Sequence, residues 1–285
     1  MNFRRRSFLV VASGGLVGSC LSGQDVVFQC PMDPDVRSNV AGVCQRCGMK
    51  LRAGIPEPVE FPMDLNLQPP VVKVGEKVQL EFKVLDPENG KLIEHFQIVH
   101  EKLFHMFVIS QDLQYFVHDH PHFDSDGMFR YEIVFPKAGL YRILGDFYPD
   151  GATPQLIAKT IIVRGGSQST PSLNRDYSTK DAGNMQVSLE TDPVQPIAGS
   201  KTMMFFKLSP GEGLEKYIGA WGHMLAASDD LIDLIHTHPF VADGGPNMQF
   251  NVYFPRPQAY RVWVQFQRKG VVNTAYFDIP VRELG

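Results

Sequence analysis

The chain has 285 residues, 44% of them hydrophobic, with 27 Lys and Arg against 31 Asp and Glu and a formal net charge of −4. That length holds two domains of ordinary size, and the spread of aromatic residues fits packed cores, not disorder. An acidic balance without a basic cluster argues against nucleic acid as a partner, and no internal apolar run is long enough to span a membrane.

The N-terminus "MNFRRRSFLVVASGGLVGSC" opens on three arginines, continues through 13 residues of modest hydrophobicity and reaches Cys20. Such a segment is too short to cross a bilayer and has the flanks of an export signal. Arg5-Arg6-Ser7-Phe8-Leu9 resembles the twin-arginine export motif, and Val17-Gly18-Ser19-Cys20 resembles a bacterial lipobox, whose cysteine becomes acylated. A plain secretory signal with an incidental cysteine is the alternative. The expectation is removal of residues 1–19, lipidation at Cys20, and a periplasmic or cell-surface protein held to the membrane only by that lipid. Cleavage there removes three arginines and no acid, leaving 24 cationic residues against 31 acidic ones and a net charge of −7.

Residues 20–54 come next, and "FQCPMDPDVRSNVAGVCQRCGMKLRAG" (28–54) carries Cys30, Cys44 and Cys47, the last two in C-x2-C spacing. A C-x2-C turn aims two thiolates at one ion, and a distant third cysteine closes the site. So short a segment has no core of its own, so a metal would supply its folding energy. The stretch resembles the short heavy-metal-binding domain found ahead of bacterial copper and heavy-metal efflux components, with the pattern C-P-M-H-P, a spacer, then C-P-x-C-G-M. Cys30, Pro31, Met32, Pro34, Cys44, Cys47, Gly48 and Met49 match; Asp33 stands where the family has His, and Gln45 where it usually has Pro. The resemblance implies a zinc or copper ion. Asp33, a harder oxygen donor, suits zinc better than cuprous copper, whereas Met32 or Met49 would complete a softer site. A Cys44–Cys47 disulfide is the alternative.

Two segments then match each other. "FHMFVISQDLQYFVHDHPHF" (104–123) faces "GHMLAASDDLIDLIHTHPFV" (222–241), each residue standing 118 positions after its counterpart. Residues 60–164 and 184–285 therefore read as duplicated domains, with a Gly-, Ser- and Thr-rich linker at 165–183. Alternation in "VVKVGEKVQLEFKVLD", "MFRYEIVFP" and "YRILGDFY" predicts strands separated by Gly, Pro and Asp turns. The predicted class is mainly β: two tandem Ig-like sandwiches behind a small cysteine-rich metal-binding module.

The repeat contains the histidines. If His105–Ser110 and Tyr115–His120 form a hairpin around "QDLQ", residue 110 pairs with 115 and His105 with His120. Residues two apart share a strand face, so His105, His118 and His120 lie together beside Phe107, Ile109 and Phe116. His223, His236 and His238 repeat the arrangement. His100 and His122 are further candidates in the first copy; the second copy has none. Both triads are candidate metal sites, and His122 is a candidate beside the first, although past Pro121 its side of the strand is left open and it has no counterpart in the second copy; the alternative is a set of hydrogen-bonded core histidines. Met106 and Met224 fall on the opposite face as packing residues, and Met203 and Met204 read as core.

The expected function is metal buffering, delivery or resistance by an exported metal-binding protein, with the metal ion and metal-efflux or metal-delivery components as partners. No nucleophile motif or carboxylate pair points to an enzyme. The alternative is a non-catalytic Ig-like partner-binding module with a structural zinc.

Overall fold

The computed structural model describes residues 27–33, 36–46, 48–54 and 59–285; the export segment, Cys20, Pro34 and Cys47 lie outside the described residues. Three short strands, β1 (Phe28–Gln29), β2 (Arg37–Ser38) and β3 (Arg52–Ala53), pair in the order β2-β1-β3 as the cysteine module. The first repeat contributes β4 (Met63–Gln68), β5 (Lys77–Val84), β6 (Phe104–Ser110), β7 (Phe116–Asp119), β8 (His122–Phe123), β9 (Phe129–Val134), β10 (Gly139–Phe147) and β11 (Gln155–Val163). The second contributes β12 (Lys180–Ala182), β13 (Met185–Asp192), β14 (Lys201–Ser209), β15 (Leu214–Glu215), β16 (His223–Ser228), β17 (Leu234–Thr237), β18 (Asn247–Tyr253), β19 (Ala259–Arg268) and β20 (Val271–Pro280).

Each repeat is an Ig-like sandwich of two antiparallel sheets. In the first, β4-β5-β9-β8 packs on β11-β10-β6-β7; in the second, β12-β13-β14-β18 packs on β15-β19-β16-β17, with β20 beside β19. Strands β5 and β14 alternate buried and less buried residues, as half-covered strands do. Their inward residues build separate cores, around Phe82, Phe104, Phe129 and Ile143 in one sandwich and Phe206, Phe250, Val262 and Phe277 in the other. Met106 and Met224 sit in these cores, as their strand parity predicts, and Met204 does too. Met203 does not: it lies half-buried on the other face of β14, because neighbouring strand residues point to opposite faces. Tyr141 closes a corner through its hydroxyl, which donates to the carbonyl of Lys137 at 2.9 Å.

Strands β6 and β16 break the alternation: every residue in both is buried. Their outward faces are covered by the other repeat. Phe107, Ile109, Leu113 and Leu144 of the first copy form one cluster with Leu225, Ala227, Leu231 and Trp263 of the second. Phe116 stacks on Trp263 with ring centroids 5.0 Å apart, and Arg261 donates to the Leu113 carbonyl at 2.9 Å while pairing with Asp278. The segment read as a linker is partly built into this assembly: Leu173 packs against the cluster, Asp176 bridges Asp278, and Lys180–Ala182 is a strand.

Candidate metal centre

The cysteine module brings Cys30, Asp33 and Cys44 together, with donor atoms of all three within 4.8 Å of one another. The Asp33 Oδ2 lies 3.4 Å from Cys44 Sγ, and its Oδ1 is held by Arg46 Nη1 at 3.2 Å, so one oxygen is anchored and the other faces the sulfurs. Backbone N–H groups of Asp33 and Arg46 point at Cys30 Sγ and Cys44 Sγ, at 3.2 and 3.4 Å. Donors of that kind favour the thiolate, the form that binds metal. Gly48, at φ +76°, turns the chain there while its N–H donates to the Cys44 carbonyl. Two sulfurs and a carboxylate suit a zinc-type ion. Met49 is buried in an apolar cluster with Val99 and Tyr148, with Met32 packed against it, so the module is anchored to the first repeat by these side chains. On its other side the Arg46 guanidinium lies 4.3 Å over the Phe240 ring of the second repeat.

The hairpin register read from the sequence is the observed one: Met106 pairs with Asp119, Phe107 with His118 and Ile109 with Phe116. His105 Nδ1 then lies 3.2 Å from both His118 Nε2 and His120 Nε2. In the second copy Met224 pairs with Thr237 and Leu225 with His236, and His238 Nε2 lies 3.1 Å from His223 Nδ1. In each triad one ring nitrogen from every histidine lies within 4.8 Å of the others. Nitrogens bound at about 2.0–2.1 Å to one tetrahedral ion stand about 3.4 Å apart, close to this spacing.

The partners of the remaining ring nitrogens decide the tautomers. His105 Nε2 donates to the Val99 carbonyl at 3.0 Å, and His118 Nδ1 donates to Gln265 Oε1 at 2.7 Å. Those bonds leave lone pairs on His105 Nδ1 and His118 Nε2, which face each other. The second copy repeats this: His223 Nε2 donates to the Tyr217 carbonyl at 2.9 Å, and His236 Nδ1 donates to Asp146 Oδ2. His236 Nε2 is buried with no hydrogen-bond partner. Facing lone pairs and an orphaned nitrogen are costly in a dry site unless a cation lies among them. A proton is a poor candidate. Burial pushes His105 down to about 4 and His120 to about 3, and holds His118, His223 and His238 well below the usual imidazole value, with the neighbouring imidazoles adding to the effect. The residues fit a metal, each triad giving three nitrogens and an open fourth position.

The two triads face each other across the repeat interface. Ring centroids of His118 and His223 are 5.2 Å apart, and those of His105 and His236 are 5.9 Å apart. The supporting bonds cross that interface: Gln265 of the second repeat holds His118 of the first, and Asp146 of the first holds His236 of the second. Asp146 and Gln265 are counterparts, each opposite the leading histidine of its own triad in the ladder.

Sequence reasoning grouped His122 with the first triad. The structure corrects this: past Pro121 the chain crosses to the other sheet, where His122, with its side chain 82% exposed, lies 3.3 Å from Asp124. His100 belongs to the first copy but joins the second triad, its ring 3.8 Å from that of His238. The roles of Asp146 and Gln265 went unread. The repeat aligns them, but nothing local in the chain places either beside a histidine of the other copy.

A family model described as "Heavy metal binding domain" matches residues 27–53, and one described as "Domain of unknown function (DUF8832)" matches residues 60–163 and again 179–283. No curated protein matches the chain. Among solved structures it is similar to the Escherichia coli adhesin FdeC at 13% identity, over 83% of this chain and 68% of that one, with a TM-score of 0.28. The Yersinia pseudotuberculosis adhesin InvE aligns at 9% identity over 77% of this chain and 60% of that one, with a TM-score of 0.26. The chicken CNTN1 FN1–FN3 domains align at 10% identity over 85% of this chain and 76% of that one, with a TM-score of 0.22. With both sandwiches matched by one model, the chain belongs to the family described as domain of unknown function DUF8832, carried here in two copies behind a heavy-metal-binding module.

Proposed function

We propose that this is an exported, lipid-anchored, non-catalytic protein that binds zinc or copper and serves metal buffering, delivery or resistance. The observation that carries the reading is the pair of histidine triads, in each of which two rings are fixed in tautomers that turn lone pairs toward a shared point, in a chain that also has a heavy-metal-binding module. A site with three protein nitrogens and a fourth open position can exchange its ion, which suits handling better than permanent structural use. Export and anchoring are supported by the Arg5-Arg6 and Val17–Cys20 motifs. Efflux or delivery components would be the partners that donate or accept the ion.

The test is the metal content of the chain, expressed with its own N-terminus in an export-competent host. Elemental analysis compares it with a Cys30/Cys44/Cys47→Ser variant and a folded His105/His118/His120→Ala variant. Metal retained by the Cys variant and reduced in the His variant is expected. Loss in the Cys variant alone would overturn the histidine half of the reading and favour a partner-binding protein with a metal-stapled N-terminus. In the same host, Cys20→Ser should move the protein from the membrane to the soluble fraction.

A further inference from the structure

The two triads are built alike but backed differently. Val99 and Tyr217, counterparts in the repeat, offer carbonyls to His105 and His223 at 3.0 and 2.9 Å. The next residue is left-handed in both copies, at φ 47° in His100 and 49° in Ile218. Beyond this shared frame Asp119, 3.8 Å from His120 Nδ1 and so not hydrogen-bonded to it, is replaced by Thr237 in the second copy, and two further differences lie behind the triads. One is the crossed support: His236 donates to the carboxylate of Asp146, whereas His118 donates to the neutral amide oxygen of Gln265. The other is the left-handed residue itself, where His100 of the first copy stands in place of an aliphatic side chain. Its ring lies 3.8 Å from that of His238 and 5.6 Å from that of His223, and its Nε2 is buried without a hydrogen-bond partner.

The crossed support favours a cation at the second triad. A carboxylate behind a ligating imidazole raises its basicity and adds a negative charge close to the ion, and loss of such a partner typically lowers metal affinity about 10–100-fold. An amide supplies orientation without the charge. The His100 ring packs on His238 with its Nε2 buried and unpartnered, while its charge coupling reaches both triads, through His105 and His236. A cavity of about 490 Å³ between the cysteine module and the second repeat is lined by Asp33, Arg46 and His238, so this triad is also the one that opens toward the module.

We propose that the two triads form a single two-ion centre with unequal sites, in which His223, His236 and His238, backed by Asp146 from the other repeat, bind the first ion. The inference rests on the metal-binding reading above. It adds an order of filling, and it assigns Asp146 and Gln265 as positioning residues that set that order from across the interface. Filling the second triad first leaves the first triad as the weaker, more readily exchanged site.

Cobalt(II) titration of the reduced full chain tests this, because cobalt on histidines lacks the sulfur-to-metal charge-transfer band that marks the cysteine module. Two ions free of that band should bind with affinities at least about tenfold apart. His236→Ala should abolish the tighter phase and His118→Ala the weaker. Asp146→Asn should weaken the tighter phase about 10–100-fold and the weaker one much less, since Asp146 is hydrogen-bonded to His236 but only lies opposite His105 in the ladder, while Gln265→Glu should tighten the weaker phase. Equal affinities in the parent chain, or an Asp146→Asn effect of equal size on both phases, would overturn the proposal. If Asp146→Asn fails to fold by circular dichroism, Gln265→Glu decides alone, and an unchanged weaker phase there overturns it. A parent chain that takes cobalt only with the sulfur band would refute both this proposal and the histidine part of the functional reading.

Discussion

A buried imidazole whose outer nitrogen is tied to a carbonyl, amide or carboxylate is a ligand made ready in one tautomer, and four such rings, His105, His118, His223 and His236, meet here. Without metal they are a liability, and pH exposes it. Unfolded imidazoles protonate below about 6.5, whereas in the folded chain His105 titrates near 4 and His100 and His120 near 3, burial being the largest cause. Between those values the unfolded state binds more protons, so stability rises with pH there and is lost as pH falls from about 6.5 toward 4. Each of these histidines contributes a slope of up to about 1.4 kcal/mol per pH unit. The melting temperature of metal-free protein should therefore drop by several degrees between pH 7 and pH 5. A flat melting profile over that range would refute neutral, buried imidazoles. The triad residues themselves were legible in the chain because the duplication marks them and strand parity groups them. His122 was misplaced because a proline breaks that parity just before it.

At the scale of the element, the hairpin between β6 and β7 sets the geometry. Ser110 is the hinge: its hydroxyl donates to Asp112 Oδ1 at 2.5 Å and accepts from the Tyr115 N–H at 2.9 Å. Ser228 makes the same two bonds, to Asp230 and from Asp233. Inside each turn a leucine adopts left-handed backbone, Leu113 at φ 56° and Leu231 at 57°, a conformation unusual for a side chain of that size. Both leucines are buried in the interdomain cluster, so the strain is retained because it aims an apolar side chain at the other repeat. Ser110→Ala leaves the Tyr115 N–H and Asp112 without this partner and should cost about 1–2 kcal/mol, read as a lower urea midpoint. It should also weaken metal binding at the first triad more than at the second, since the register that brings His120 to His105 begins at this turn. An equal effect on both triads would show that the turn does not set the site. The turn and register were legible because a four-residue loop between matching strands admits one pairing that keeps the apolar residues on one face.

At the scale of the molecule, the sheets carrying the triads dock face to face, and their contact is the one place where both copies contribute to each site. Trp263, 4% exposed and stacked on Phe116, is a central contact of this docking. Trp263→Ala removes a large buried ring at a cost of about 3–5 kcal/mol. It should lower the melting temperature and weaken metal binding at both triads, although Trp263 is not itself a candidate ligand, because His118 and His236 would lose their supports from the other repeat. Unchanged metal affinity in that variant, measured by competition with a chelating dye, would mean that each triad is organised within its own sandwich.

The class of the fold, the duplication, the cysteine module, the triads and even their hairpin register follow from local pattern: period, spacing and repeat act over a few residues and leave their trace in the chain. What covers the histidine face does not. The unbroken burial of "FHMFVIS" and "HMLAAS" says that both sides of these strands are packed, yet no local rule states against what. Only the docking of the repeats settles it, since the free energy of burying Phe107, Leu144, Leu225 and Trp263 is realised between residues of the two repeats that are far apart in the chain. The same docking brings Asp146 to His236 and Gln265 to His118, turning two copies of one motif into two different sites.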